Sequence, residues 1–187
     1  MTSFPALDTQ SAPAESRAIL EGAKQSLGFI PNLFGVLAAS PAALQAYTSL
    51  SALQDASSTF NETERQVLFL SISARNGCEY CVAAHTTISN MKKVPGDIVN
   101  ALRNGAPLAD AKLEALRTFA LDVVEKRGWV DDASVAAFRA AGYEDRHVLE
   151  VVLAVAFKTI SNFTNHITKT ELDAAFQPQA WEAGATA

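Results

Sequence analysis

The residues that could do chemistry lie close together. Cys78, Cys81 and His85 stand at i, i+3 and i+7 of one segment, Asn76-Gly-Cys-Glu-Tyr-Cys-Val-Ala-Ala-His85. A helix stacks those positions along a single face, the proximity that a nucleophilic thiol, a second thiol and a proton-transfer group need. If the helix begins near Cys78, its unpaired N–H groups and macrodipole favour thiolate over thiol. The chain has only these two cysteines, so they cannot form a long-range disulfide framework. Their spacing reads as redox or metal chemistry. For zinc, Cys78, Cys81 and His85 offer three ligands, and neither His147 nor His166 has a spacing that identifies a fourth. The plainest alternative is two small buried apolar side chains that happen to lie three apart. The expectation is a dithiol site with no metal and no cofactor.

Placing this face requires a helix that starts at or near Cys78, and Asn76-Gly77 just before it reads as the left-handed stop of a preceding helix. That preceding helix opens at Asn61 with Glu64 as a capping-box-like pair, and its Gln66, Val67, Leu68, Leu70, Ile72 and Ala74 read as buried. Elsewhere Gly and Pro divide the chain into segments of helical periodicity with no hairpin signal, so residues 1–187 read as one all-α domain. The predicted helices are Ala14 to Leu27, stopped by Gly28 and followed by a 28–32 loop; Ser40-Pro41 to about Ser57; the cysteine helix to about 92–95; a short one to Gly105; one opened by Asp110 and ended by Gly128; Asp132 to Ala141; and a long central one from Asp145 to about His166.

With an offset of 81, Arg65-Gln66-Val67-Leu68 falls on Arg146-His147-Val148-Leu149, His85 on His166, Cys78 on Thr159 and Cys81 on Asn162. The reading is a duplicated helical unit: a first half, about 28–95, that carries the cysteines, and a degenerate second half, about 108–170, that supplies packing. Glu79 and Tyr80 are expected to face solvent or an interface, Trp129 and Phe138 to be core, and Glu150 to pair with Arg146 one turn earlier. His147 and His166 are left outside the site.

The net charge of −5 and the lack of any basic stripe exclude nucleic acid as a partner. Residues 1–14 show no signal peptide, and the apolar run Val148 to Phe157, broken by Glu150, is too short to span a bilayer. A cytoplasmic protein is expected.

Cys-x-x-Cys-x-x-x-His after a buried helix resembles the carboxymuconolactone decarboxylase-like superfamily, in particular its alkylhydroperoxidase D branch and the peroxidase-related proteins within it. The likeness runs from Gly28-Phe-Ile-Pro-Asn32 through the Ser40-Pro41 helix to Asn165-His166. It implies an oligomeric, duplicated helical fold and thiol-dependent reduction of hydrogen peroxide or small organic hydroperoxides, with Cys81 attacking and Cys78 resolving a disulfide. His85, one turn from Cys81, is expected to touch its sulfur and manage the proton, and Cys78, nearer the helix start, to be reachable by a reductant. The resemblance further implies a trimer or hexamer and a dithiol reductant, either lipoyl-bearing or thioredoxin-like. One departure is clear: where the family has a glutamate in its proton relay, this chain has Gln66, which can orient a water but cannot accept a proton, so either the relay runs through His85 and water alone, or a carboxylate such as Glu64 takes over, or the peroxidase is slower than the pattern implies. The rival functions are a carboxymuconolactone decarboxylase-like enzyme, which would leave the cysteine pair unexplained, and a non-catalytic redox-sensing oligomeric protein.

Overall fold

A computed structural model describes residues 4–184. The described residues form nine α-helices and a short 3₁₀ turn, with no strand among them: α1 (Ala14–Leu27), α2 (Asn32–Leu37), α3 (Pro41–Ala56), α4 (Glu62–Arg75), α5 (Glu79–Met91), α6 (Gly96–Arg103), α7 (Ala111–Glu125), α8 (Asp132–Ala140), α9 (Asp145–Thr168) and the turn Gln177–Gln179. Their caps are the ones that the residue types favour. Ser40 accepts from Ala43 N with Pro41 in the first turn, Asn61 and Glu64 form a reciprocal capping box, and Asp110 and Asp131 cap α7 and α8.

Helix α4 is the hub. It packs against α5, α6, α7 and α9, which is why its middle, residues 66–73, is buried all round, with Val67, Leu68, Leu70 and Ile72 fully buried. Helix α9 runs unbroken for 24 residues along α3, α4, α7, α2 and α5. It reaches the length and hydropathy of a membrane span, contrary to the short apolar run read from the sequence. Yet Lys158, Ser161, Asn162 and Asn165 turn inward from it and are buried in the protein, as in a core helix. Its outer face exposes Leu149, Val152, Phe163 and Ile167.

Several expectations need correcting. Helix α2 was not foreseen, because six residues are too few to show a period; its first N–H, Asn32 N, is capped by the Asp173 carboxylate at 3.0 Å, a partner 141 residues away. Trp129 is 88% exposed, in the turn after α7, while Phe138 is core, stacked between Phe119 and Tyr143 with ring centroids 4.4 Å away on either side. Glu150 does not pair with Arg146. It accepts from Ser58 Oγ at 2.7 Å and Thr59 N at 2.9 Å and so fixes the α3–α4 loop, leaving Arg146 to Glu144. His147 accepts from Glu144 N at 2.8 Å as part of the α9 cap, and His166 is exposed.

Candidate active site

The end of α4 sets the start of α5. Gly77 adopts φ 67°, Gly77 N donates to Ala74 O at 3.0 Å, and Cys78 N donates to Ser73 O at 2.9 Å. These are the two bonds of a Schellman stop, and the left-handed residue between the helices is a glycine because a side chain would strain it. Cys78, the last residue of that stop, is also the N-cap of α5, so Cys81 falls in the first helical turn, at the positive end of the dipole.

Both sulfurs are buried, Cys78 at 1% and Cys81 at 2% exposure, and both thiols are free. Burial by itself would push Cys81 up. It is outweighed by a hydrogen bond from the Cys78 thiol, the positive charge of Lys158 and bonds from Ser161 and Asn162, which together bring Cys81 down to about 5. Cys78 moves the other way and keeps its proton, because it donates to Cys81 and is itself buried. Asn165 Nδ2 lies 3.3 Å from Cys81 Sγ and 3.7 Å from Cys78 Sγ and bridges the pair. Tyr47 completes the surroundings: burial and the two nearby sulfurs hold its phenol neutral.

His85 and Gln66 are brought together as expected, but in a different arrangement. His85 Nδ1 lies 3.1 Å from Gln66 Oε1, whose Nε2 donates to Glu62 Oε1 at 2.9 Å. The carboxamide oxygen accepts only, so Nδ1 carries the proton and Nε2 is bare. Nε2 then receives Lys158 Nζ at 2.8 Å. His85 therefore has no ring nitrogen left for Cys81, and the expectation that it touches the sulfur is overturned. Burial, then the charge of Lys158, hold His85 well below the usual imidazole range, so it is neutral. The substitute carboxylate is Glu62 and not Glu64, whose oxygens are taken by Asn61 N and Tyr143 Oη. Burial pushes Glu62 up, but hydrogen bonds from Gln66 and Arg65 outweigh it and hold the group below the usual range. Lys158 is 0% exposed, so a chain of four residues leads from a fully buried amine to a half-buried carboxylate at the surface.

Sequence reasoning missed Lys158, Asn165, Asn162, Ser161, Glu62 and Tyr47. One signal was available, a lone lysine inside the apolar run of α9. The offset that placed Asn162 opposite Cys81 pointed to the same helix. That helix supplies polar groups to the thiols, not packing alone.

The C-terminal segment closes over the start of α5. Tyr80 is buried, contrary to expectation; its hydroxyl donates to Asp173 Oδ2 and accepts from Leu33 N at 3.3 Å. Glu79 is exposed and accepts from Ala183 N at 3.3 Å. Arg103 donates to Gln179 O at 3.1 Å and Ala180 O at 3.0 Å, and Trp181 Nε1 donates back to Arg103 O at 2.9 Å. The two residues between the cysteines thus both hold the tail, and Cys78, expected to be reachable, is buried, with its neighbours Gly77 and Glu79 against Ala183.

The donor set suits thiol chemistry better than metal binding. The third group of the cysteine motif, His85, has both ring nitrogens turned to Gln66 and Lys158 and offers neither to a metal beside the sulfurs. Among the described residues no cluster of three or more His, Cys, Asp or Glu could hold a metal.

Residues 41–125, from α3 through α7, match the Carboxymuconolactone decarboxylase family, so the dithiol and Gln66 lie within the family's own segment. Over nearly its whole length the chain has the fold of the alkylhydroperoxidase AhpD core. With an uncharacterized peroxidase-related protein of that core from Ralstonia eutropha JMP134 it shares a TM-score of 0.81 and 24% identity, over 92% of this chain and 93% of that one. An uncharacterized peroxidase-related protein from Silicibacter sp. TM1040 gives 0.80 and 23%, over 95% and 96%. The debrominase Bmp8, in complex with 2,3,4-tribromopyrrole, gives 0.77 and 18%, over 96% of both chains. No curated protein matches the chain in sequence. The chain has the fold of these proteins, and its residues 41–125 resemble the Carboxymuconolactone decarboxylase family.

Proposed function

We propose that the protein is a thiol peroxidase that reduces hydrogen peroxide or a small organic hydroperoxide through a Cys78–Cys81 disulfide. The observation that carries this reading is the placement of the two thiols: Cys81 lies in the first turn of α5 with Asn165 Nδ2 3.3 Å from its sulfur, surroundings that lower Cys81 and raise Cys78. A nucleophile and a resolving thiol need that division of roles.

The Cys81 thiolate attacks the terminal oxygen of the peroxide. The S–O bond forms as the O–O bond breaks, and the leaving oxygen takes a proton from Lys158 Nζ, giving an alcohol or water and Cys81 sulfenic acid. Cys78 then attacks that sulfur and its proton leaves with the hydroxyl as water, so the disulfide forms without charge change. An external dithiol, lipoyl-bearing or thioredoxin-like, returns two electrons and two protons: one re-forms the Cys78 thiol, the other recharges Lys158. His85, neutral and tied to Gln66 and Glu62, fixes Lys158 beside the sulfur. We place this cycle in the cytoplasm and in a homo-oligomer, which sedimentation at micromolar concentration would detect.

The deciding experiment is peroxide consumption with dithiothreitol as reductant, read together with the mass of the oxidised chain. The wild type should consume peroxide and lose two hydrogens within one chain. Cys81→Ser should be inactive, and Cys78→Ser should form a sulfenic acid once without turning over. An intrachain disulfide without peroxide turnover would favour the redox sensor; peroxide inertness with decarboxylation that survives both Ser variants would favour the decarboxylase.

A further inference from the structure

Among the described residues, the side chain of Asn165 is the one that hydrogen-bonds both sulfurs and still has an unused hydrogen-bonding atom. It is 5% exposed, its Nδ2 reaches Cys81 Sγ at 3.3 Å and Cys78 Sγ at 3.7 Å, and its Oδ1 is buried with no partner. The assignment of the two amide atoms follows from chemistry: a thiolate only accepts, so the N–H side must face it. A buried carbonyl without a donor is costly, and such groups mark places where a ligand or water belongs.

We infer that Asn165 is a substrate-binding residue, whose Nδ2 holds the Cys81 sulfur and whose Oδ1 accepts the O–H of a hydroperoxide. The inference rests on the peroxidase reading and adds to it the residue that seats the substrate. The two amide atoms are neighbours on one rigid plane, so a molecule that donates to Oδ1 is set beside the sulfur held by Nδ2. A hydroperoxide presents there the oxygen that must be attacked, since the O–H that binds Oδ1 is on the oxygen that joins Cys81, while Lys158 serves the departing oxygen from the same helix, α9. The ligand class is therefore a peroxide with a free O–H; a dialkyl peroxide offers Oδ1 nothing. Burial of both sulfurs makes such pre-set contacts count, because little water competes for them.

Two measurements separate the halves of this role. The titratable groups whose charge bears on Cys81 are Cys78 from α5, Tyr47 from α3 and Lys158 from α9, with His85 behind Lys158, and all are retained in the variants. Thiolate absorbance titrated in Asn165→Ala should show the Cys81 midpoint moved up by about one to two units, the effect of losing one hydrogen bond to a charged sulfur. The rate of sulfenic acid formation is then compared above both midpoints, where Cys81 is fully ionised. There Asn165→Ala should remain roughly tenfold to a hundredfold slower than wild type with hydrogen peroxide. With iodoacetamide, which needs no acceptor, the rate per thiolate should be unchanged. Asn165→Asp, close in shape, keeps an acceptor but loses the N–H, so it should shift the midpoint further and guards against a folding defect in the alanine variant. An unmoved midpoint in both variants would overturn the sulfur contact, and full recovery of the peroxide rate at high pH would overturn the substrate seat. If the wild type consumes no peroxide, the peroxidase reading falls and takes the seat with it, while the titration still decides the contact to sulfur.

Discussion

Lys158 Nζ stands 2.8 Å from His85 Nε2, so the imidazole of the cysteine motif serves a buried lysine on another helix and not the sulfur one turn away. A charge with no exposure needs an anion close by, and Cys81 provides it. Lys158→Met keeps length and volume but removes the charge. The Cys81 midpoint, followed by thiolate absorbance, should rise by about 1–3 units, the usual effect of losing an adjacent opposite charge. Peroxide reduction near neutral pH should fall with it.

Gln66 is held between His85 and Glu62. Gln66→Leu strips a buried N–H of its acceptor and should cost about 1–3 kcal/mol in denaturant unfolding. Gln66→Glu instead gives Nδ1–H a carboxylate, which favours the charged imidazole and raises its midpoint in an NMR titration. It also turns one carboxylate toward another at Glu62, so its stability should be lower than wild type despite the stronger bond to His85.

The thiols make stability depend on pH with a definite sign. Cys81 ionises at about 5 when folded against a normal value of 9.0, and Cys78 is shifted upward from that same value. Between those limits the unfolded chain binds one more proton than the folded one, so the pair's contribution grows as pH rises from about 5 to 9.0 and is lost as pH falls through about 5. Above 9.0 the retained proton of Cys78 reverses the slope. His85, lowered when folded, adds stability above 6.5 and loses it in acid, the same direction as Cys81. Urea midpoints should climb from pH 5.5 to 8 and flatten markedly in Cys81→Ser; an equal slope in that variant would show that the thiolate is not responsible.

The tail is anchored beside the start of α5, at the neighbours of Cys78 in sequence. Removing residues 177–187 deletes the contacts of Gln179, Ala180, Trp181 and Ala183 with Arg103 and Glu79 while leaving the Tyr80–Asp173 bond. Cysteine reaction with 5,5′-dithiobis(2-nitrobenzoate) in the native protein should be slow and should speed up by about tenfold or more, the factor that about 1.4 kcal/mol of lost cover produces. Equal rates would mean that the thiols are reached by another path.

Local rules made the helices legible. Asn61 with Glu64, Ser40 with Pro41, Asp110 and Asn76-Gly77 each fix a boundary through bonds within a few residues, and the cysteine face follows from one helix's geometry. The partners of that face were not legible, because Lys158 and Asn165 meet the thiols across more than seventy positions of sequence. Spacing along α5 put His85 beside Cys81, yet the competition for its nitrogens was decided by α9. The same limit explains Tyr80, whose burial depends on Asp173, and Trp129, whose size suggested core although its turn points it outward.

The burial of Lys158 has an electrochemical consequence. In the reduced protein its charge is matched by the Cys81 thiolate; once the two sulfurs join, that anion no longer exists, the lysine has given up its proton, and the ion pair that stabilises the reduced site is lost. Oxidation is therefore penalised, and the couple is drawn toward a more oxidising reduction potential, about 30 mV for each tenfold preference for the dithiol. Titrated against a glutathione buffer, Lys158→Met should have the lower potential of the two proteins. A disulfide that is so readily given back is one that a modest cellular dithiol can reduce, and the lysine that readies the sulfur for attack also ensures that the oxidised state does not last.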